Sequence, residues 1–387
     1  MKINVAWSTD ENARIAGKSC SKKAVLDLVE TKLAILYSSV KYNTENLLEG
    51  VKSVLGTAPI IGTTSNKGII TQDGYITSQA GFLGMLAIGD NDTAVGTAIC
   101  KKQVTARETG KMVANRAKQK VGTNCSPAYF IMFATPGDEE EYLKGIQDVI
   151  GEVPCFGGTA ADDDLSGKWK IYTEDGIVND GVAVAFVYTN KKIENILDGK
   201  YHETVNSGVI TKLTGKRELD EIDGIQALKR YGEWTNKKVR ELRGLKLFNQ
   251  SILKPLGVKT HNGTMTVIRH PLNGNTDYSM NIGNDLAVNT AVIQMQISKE
   301  ELVNSPTYIL RDLKKKIKDN SVGYIIIHDG SRKNVVEEDI HEMAKKIKKE
   351  AGETPFLMSF NYGEYGRGEH TENVCGGLMI SVTGFLY

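Results

Sequence analysis

Three consecutive aspartates, Asp162, Asp163 and Asp164, stand directly after a run of small residues, Gly157-Gly158-Thr159-Ala160. Successive carboxylates can pair with a ligand ammonium or gather a divalent cation, but these lack the alternating spacing and distant glutamate of a calcium loop. An exposed loop fixed by aspartate turn chemistry accounts for the same triplet. Thr64-Ser65 and Ser359-Phe360-Asn361 are comparable runs that close apolar segments. At such strand ends, tight turns open backbone N–H groups and hydroxyls to a ligand, which makes Thr64, Ser65, Gly158, Thr159 and Asn361 binding candidates. In the alternative reading the glycines only permit the turn and the threonines satisfy local backbone. Arg269 and Arg332 follow an apolar strand or sit in a turn, where a planar guanidinium can grip a carboxylate through two parallel hydrogen bonds.

Catalytic patterns are scarce. The six histidines (His202, His261, His270, His328, His341, His370) form no HxH or HExxH pair, so no zinc ligand set is visible. GxSxG, GxxxxGK[ST] and GxGxxG are all missing, which removes the commonest serine-hydrolase, P-loop and dinucleotide readings. Cys155, in Pro-Cys-Phe-Gly-Gly, is either a nucleophile beside a glycine turn or an inert core thiol. No cofactor and no metal are expected.

These candidates hang on a repeated unit. Residues Leu33 to Ser65 lay on Ala128 to Ala160 without a gap, pairing Glu45 with Glu140, Gly50 with Gly145, Pro59 with Pro154, Gly62 with Gly157 and Thr64 with Thr159. Each copy reads as a buried strand, a helix with an acidic first turn, a second strand after a proline, a hairpin at Asp-Gly and a closing strand. Asn43 and Asp138 are the expected N-caps, Gly56 and Gly151 the expected C-caps. The copies span residues 33–89 and 128–189, and a third, less regular one spans 323–385. The fold class expected is α/β, or mixed α+β. Strand–helix–strand–hairpin units form mixed sheets flanked by helices in two modules, and αββα-like layering is one arrangement open to them.

Set in order, the motifs resemble those of the FIST family of sensory modules. The N-terminal module's pattern is matched by Gly62-Thr63-Thr64-Ser65, Gly157 to Asp163 and Asp175-Gly176, with Ile222 to Leu228 at its exit. The C-terminal pattern is matched by Val267-Ile268-Arg269, Gly330-Ser331-Arg332, Gly363-Glu364 and Asn373. The sequence departs from that pattern after Asn373, which is followed by Val-Cys-Gly-Gly, and at Tyr365. The resemblance divides the chain into an N-terminal module, residues 1–223, and a C-terminal module, residues 224–387. It implies a ligand-binding sensory protein of signal transduction, with an amino acid or related metabolite as ligand and a signalling protein as output partner. Glu364, near Arg332 in motif terms, would match the second end of a zwitterion; an internal Arg332–Glu364 ion pair is the competing reading.

Bulk composition agrees. With 48 basic and 47 acidic residues the net charge is +1, which offers no excess positive charge to a phosphate backbone, so nucleic acid is not an expected partner. The odd number of scattered cysteines reads as reduced thiols in a cytoplasm. No window approaches the roughly 20 apolar residues of a membrane span, and the first residues lack the apolar stretch of a signal peptide. Two other readings stay open: a hydrolase or amidase using the same cleft with Cys155, and an adaptor that docks a partner without any small molecule.

Overall fold

In the computed structural model, which describes every residue except 261, 262, 264, 319 and 368–371, the repeat is longer than its sequence signature. His261 and His370 lie outside the described residues. Copy 1 begins with an edge strand and a helix, β1 (Lys2–Ser8) and α1 (Ala13–Ala24). It continues through β2 (Thr31–Ser38), α2 (Thr44–Leu55), β3 (Ile60–Thr64), the hairpin β4 (Ile69–Thr71) and β5 (Gly74–Ile76), and β6 (Leu83–Gly89). Copy 2 repeats this order as β7 (Ala94–Lys101), α3 (Ala106–Val121), β8 (Tyr129–Ala134), α4 (Glu139–Ile150), β9 (Cys155–Thr159), β10 (Ile171–Thr173), β11 (Gly176–Val178) and β12 (Gly181–Tyr188).

Copy 3 opens with β13 (Ile193–Asp198) and is then interrupted by an inserted β-rich body. That body holds β14 (His202–Thr214), β15 (Glu218–Ile222), β16 (Ile225–Gln226), α5 (Ala227–Thr235), α6 (Lys246–Ser251), β17 (Leu256–Lys259), β18 (Thr266–Arg269), β19 (Pro271–Gly274), β20 (Met280–Ile282) and β21 (Ala291–Gln296). The copy resumes with α7 (Lys299–Lys316) and β22 (Ser321–Asp329). It then adds a short helix without counterpart in the other copies, α8 (Gly330–Val336), before α9 (Ile340–Ala351), β23 (Phe356–Asn361), the hairpin β24 (Glu364–Arg367) and β25 (Asn373–Gly376), and β26 (Ile380–Leu386). The boundary expected after Asp223 falls in the turn between β15 and β16, which pair with each other.

Each copy builds a four-strand sheet with one parallel pair, β2–β3, β8–β9 or β22–β23. The hairpins do not extend their own copy's sheet. β10–β11 of copy 2 adds to β3 of copy 1, β24–β25 of copy 3 adds to β9 of copy 2, and β4–β5 of copy 1 adds to β23 of copy 3. This cyclic exchange covers one open edge of every sheet.

The inner faces of the three sheets meet in one apolar core, with Ile35 and Tyr37, Ile131 and Phe133, and Ile325 and Ile327 among its members. Helices cover the outer faces: α1 and α2 pack on copy 1, α3 and α4 on copy 2. Helices of copy 3 and part of the insert share another core. A line through two copies thus crosses helix, sheet, sheet and helix.

The repeat shows one departure from the ungapped match. Ala34 and Phe130 donate to the carbonyls of Pro59 and Pro154 respectively, so the first strands are displaced by one residue relative to the helices and second strands. The loop Ser39–Tyr42 is longer than Thr135–Gly137, which absorbs the difference. Asn43 caps α2 by accepting from Asn46 N at 2.8 Å. Asp138, the expected cap of α4, makes no such bond because Lys102 Nζ takes its carboxylate. Gly56 and Gly151 end their helices at positive φ, 61° and 74°. The shared Gly50 and Gly145 serve helix contact: a Cβ on either would lie 2.0 Å from the carbonyl of Arg14 or Arg107 on the partner helix.

Candidate functional site

The strand ends singled out by their small polar residues converge where the three copies meet. Ala161 N donates to Thr64 O, Tyr362 N to Thr159 O and Asn66 N to Phe360 O, at 3.1, 3.1 and 2.8 Å. Thr64, Ser65, Thr159 and Asn361 are fully buried in this hub. Thr64 Oγ1 accepts from Lys170 N, and Ser65 Oγ accepts from Phe360 N while donating to Gly68 O. Asn361 Nδ2 donates to Thr159 O, and Thr159 Oγ1 lies 2.7 Å from the Tyr365 hydroxyl. Gly158 pairs with Glu364 across the β9–β24 edge. These groups satisfy one another.

The aspartate triplet starts the connection from β9 to β10, which is much longer than the matching connections in the other copies. Asp162 is fully buried. Its carboxylate accepts from Leu165 N at 2.7 Å and Lys168 N at 2.9 Å, and its carbonyl from Asn66 Nδ2 and the Tyr362 hydroxyl. Asp163 accepts from Lys67 N. Aspartate turn chemistry therefore shapes the loop. It holds Leu165 at φ 59°, a left-handed conformation unfavourable for a large side chain, and sets the Trp169 ring edge-on to Tyr362.

That loop borders a cavity of ≈ 530 Å³. Copy 2 contributes Gly137, Glu139, Leu165 and Trp169, copy 3 contributes Asp329, Ser331, Tyr362 and Gly377, and the insert contributes Arg217, Glu218, Phe248, His270 and Asn284. The first two groups lie at or beyond the C-terminal ends of β8, β9, β22 and β23, where parallel strands commonly present ligand sites. Arg217 links insert to copy 2: its guanidinium reaches Glu139 at 2.7 Å, Glu140 at 2.6 Å and Asp285 at 2.9 Å. Burial opposes its charge, but the flanking carboxylates prevail and raise its pKa. Burial also pushes the Glu139 carboxyl up, against the pull of Arg217. His270 is buried and its pKa is lowered for that reason, so it adds no positive charge at neutral pH. Lining carboxylates, Glu139, Glu218 and Asp329, outnumber the single lining guanidinium.

The two arginines expected to bind a carboxylate face the backbone. Arg269 donates to the carbonyls of Asp285, Ile268 and Cys375. Arg332 donates to Gly199 O, Leu378 O and Ser305 Oγ and lies over the Tyr201 ring. Among the described residues no ion pair joins Arg332 to Glu364. Instead Glu364 Oε2 accepts from Met379 N at 2.9 Å, and Oε1 has no partner. Asp329 caps α8 through Ser331 N and Arg332 N and accepts from Leu378 N at 3.1 Å.

Cys155 is fully buried, and burial drives its thiol pKa well up, the opposite of what a nucleophile requires. Among the described residues no group of three His, Cys, Asp or Glu could hold a metal ion, and no helix is long and apolar enough to cross a membrane. The sequence reading missed Glu139, Trp169, Arg217, Phe248 and Tyr362 as neighbours. Glu139 lies in the acidic turn already noted and Tyr362 directly follows Asn361 at the end of β23; Arg217 and Phe248 are brought in by the insert and Trp169 by the long loop.

No curated protein matches the chain. Among solved structures, cyanuric acid hydrolase aligns at 8% identity over 99% of both chains with a TM-score of 0.35. Phosphoribosylformylglycinamidine synthase II from Thermotoga maritima aligns at 9% identity over 99% of this chain and 72% of that one, with a TM-score of 0.23. Likenesses this low carry no argument. The family models do: the FIST N domain matches residues 32–225 and the FIST C domain residues 227–367, meeting within the insert. The chain belongs to the FIST family, whose domains are associated with sensory signal transduction.

Proposed function

We propose that this chain is the ligand-binding part of a cytoplasmic signalling system. The cavity between copy 2, copy 3 and the insert takes a small metabolite bearing an ammonium group, an amino acid or a close relative. A protein partner reads the result. The observation that carries the proposal is the lining: carboxylates outnumber cations in an enclosure walled by Trp169, Phe248 and Tyr362. Such an enclosure favours a cation with an apolar or flat body. The seam location supports a sensory role, because a ligand touching three bodies changes how they sit together. The aspartate loop and the strand-end hub serve this site by fixing its walls. The buried thiol of Cys155 gives the hydrolase reading no support.

The test is the melting temperature of the purified protein with each of the twenty amino acids and their decarboxylated amines. At least one member should raise it, and Trp169→Ala should abolish that rise while leaving a cooperative melt. No rise with any member would overturn the proposal.

A further inference from the structure

The exchanged hairpins define equivalent positions by register. Ile69 of β4 pairs with Ser359, Ile171 of β10 with Thr63, and Glu364 of β24 with Gly158. Two copies place isoleucine here, fully buried and inside the central core. The third places a carboxylic acid, equally buried. A buried carboxyl with an unpartnered oxygen is unfavourable compared with an aliphatic side chain, so this break of symmetry calls for a role.

Its contacts point to one. Glu364 and Asp329 accept the consecutive N–H groups of Met379 and Leu378, and Arg332 donates to the Leu378 carbonyl at 3.0 Å. Leu378 is held at φ 55°, a strained conformation for a bulky residue that persists only where its surroundings impose it. The residue before it, Gly377, forms part of the cavity wall, as does Asp329. Copy 2 uses a hydroxyl where copy 3 uses carboxyls: Gly181 N donates to Thr135 Oγ1 at 2.9 Å.

We infer that Glu364 is a positioning residue for the cavity, setting the Gly377–Leu378 turn through the Met379 N–H. The inference rests on the proposed binding role of that cavity. Burial, with the Asp329 charge beside it, holds the Glu364 carboxyl well above the usual range, so a neutral amide is the fitting substitute. Glu364→Gln keeps the acceptor, whereas Glu364→Ile installs the residue of the other two copies and removes it.

Two measurements separate this inference from the binding proposal. In amide hydrogen exchange without added compound, Glu364→Ile should speed exchange at Leu378 and Met379 about tenfold, the equivalent of one lost hydrogen bond. Glu364→Gln should leave it unchanged, and an unchanged rate in Glu364→Ile overturns the inference whatever the cavity binds. In calorimetric titration with the amino-acid and amine panel, Glu364→Gln should match wild type and Glu364→Ile should bind about tenfold more weakly or worse. Equal binding by Glu364→Ile overturns the inference and leaves the binding proposal standing. If Glu364→Ile does not melt cooperatively, Glu364→Met, which bends into the same space but accepts no strong hydrogen bond, carries both measurements with the same outcomes.

Discussion

Ala161 N donates to the carbonyl of Thr64 across 3.1 Å, and in doing so ties the end of copy 2's second strand to the end of copy 1's. Together with Tyr362 to Thr159 and Asn66 to Phe360, it closes a ring in which every copy both gives and receives. The exchanged hairpins repeat the same logic at the sheet edges. No copy has a complete sheet on its own.

It follows that copies 1 and 2 cannot unfold separately. Denaturant unfolding followed by tryptophan fluorescence and by far-ultraviolet circular dichroism should give coincident transitions. With Trp234 of the insert replaced by Phe, the emission comes from Trp7 of copy 1 and Trp169 of copy 2; a resolved intermediate in which part of the emission is lost before the dichroism would contradict the closed ring.

The shared glycines of α2 and α4 should tolerate no side chain. A Cβ on Gly145 would meet the Arg107 carbonyl at 2.0 Å, an overlap with backbone that only a shift of the helix pair relieves. Gly145→Ala should destabilise by about 1–3 kcal/mol, the usual range for overpacking, despite alanine's better helix propensity. Chemical denaturation reads this directly, and a stabilised variant would show that α3 and α4 are free to separate.

Arg217 is the main charged link between insert and copy 2. Removing one partner of a buried ion pair costs about 3–5 kcal/mol. The Arg217 side chain is 22% exposed, and solvent screening brings the expectation to about 2–3 kcal/mol. Arg217→Ala should therefore lower the denaturation midpoint, whereas Arg14→Ala, in an exposed pair at 3.8 Å, should scarcely move it. Equal effects would deny the link its place.

Glu364 should leave a signature in the pH dependence of stability. Its pKa in the fold is raised well above the ordinary 4.5 by burial and by Asp329, so the folded protein keeps a proton that the unfolded chain releases. Stability from this group is present below about pH 4.5 and lost as pH rises toward the folded pKa. Glu364→Gln does not titrate, so its melting temperature relative to wild type should climb as pH rises above about 4.5. His328, whose pKa burial lowers well below 6.5, works in the opposite direction but equally in both proteins, and cancels. A flat difference would mean that Glu364 is ionised in the fold.

The sequence made legible what each copy needs for itself. Pro59 and Pro154 start the second strands, Gly50 and Gly145 let helices touch, and Asn43 caps its helix. It left illegible what one copy needs from another. β1 with α1 and β7 with α3 belong to the repeat, and α1 and α3 share Ala-Arg-x-x-Gly-Lys at residues 13–18 and 106–111, but at an offset two residues shorter than the rest of the match, so an ungapped comparison passes over it. The hairpin exchange is a matter of closing edges between residues as distant as Ile70 and Met358, which local patterning does not encode. The same holds for the site. Asp162 and Asp163 were visible as a cluster, but their partners are backbone groups of their own loop and of Lys67 together with the side chains of Asn66 and Tyr362 from the other two copies. Arg217 was not singled out, because two of its three carboxylates, Glu139 and Glu140, come from copy 2 and the third, Asp285, lies 68 residues away in the insert. Arg332 and Glu364 were visible as chemistry, yet only the fold shows that they meet at the Leu378–Met379 turn and not with each other.

The most direct test of the account is to locate a bound compound. The protein has three tryptophans, of which Trp169 lines the cavity while Trp7 and Trp234 belong to β1 and α5. In a heteronuclear spectrum of the indole N–H groups, titration with the amino-acid and amine panel should shift the Trp169 resonance for at least one compound and leave Trp7 and Trp234 in place. A panel that moves none of the three, or that moves Trp7 or Trp234 instead, would contradict the account.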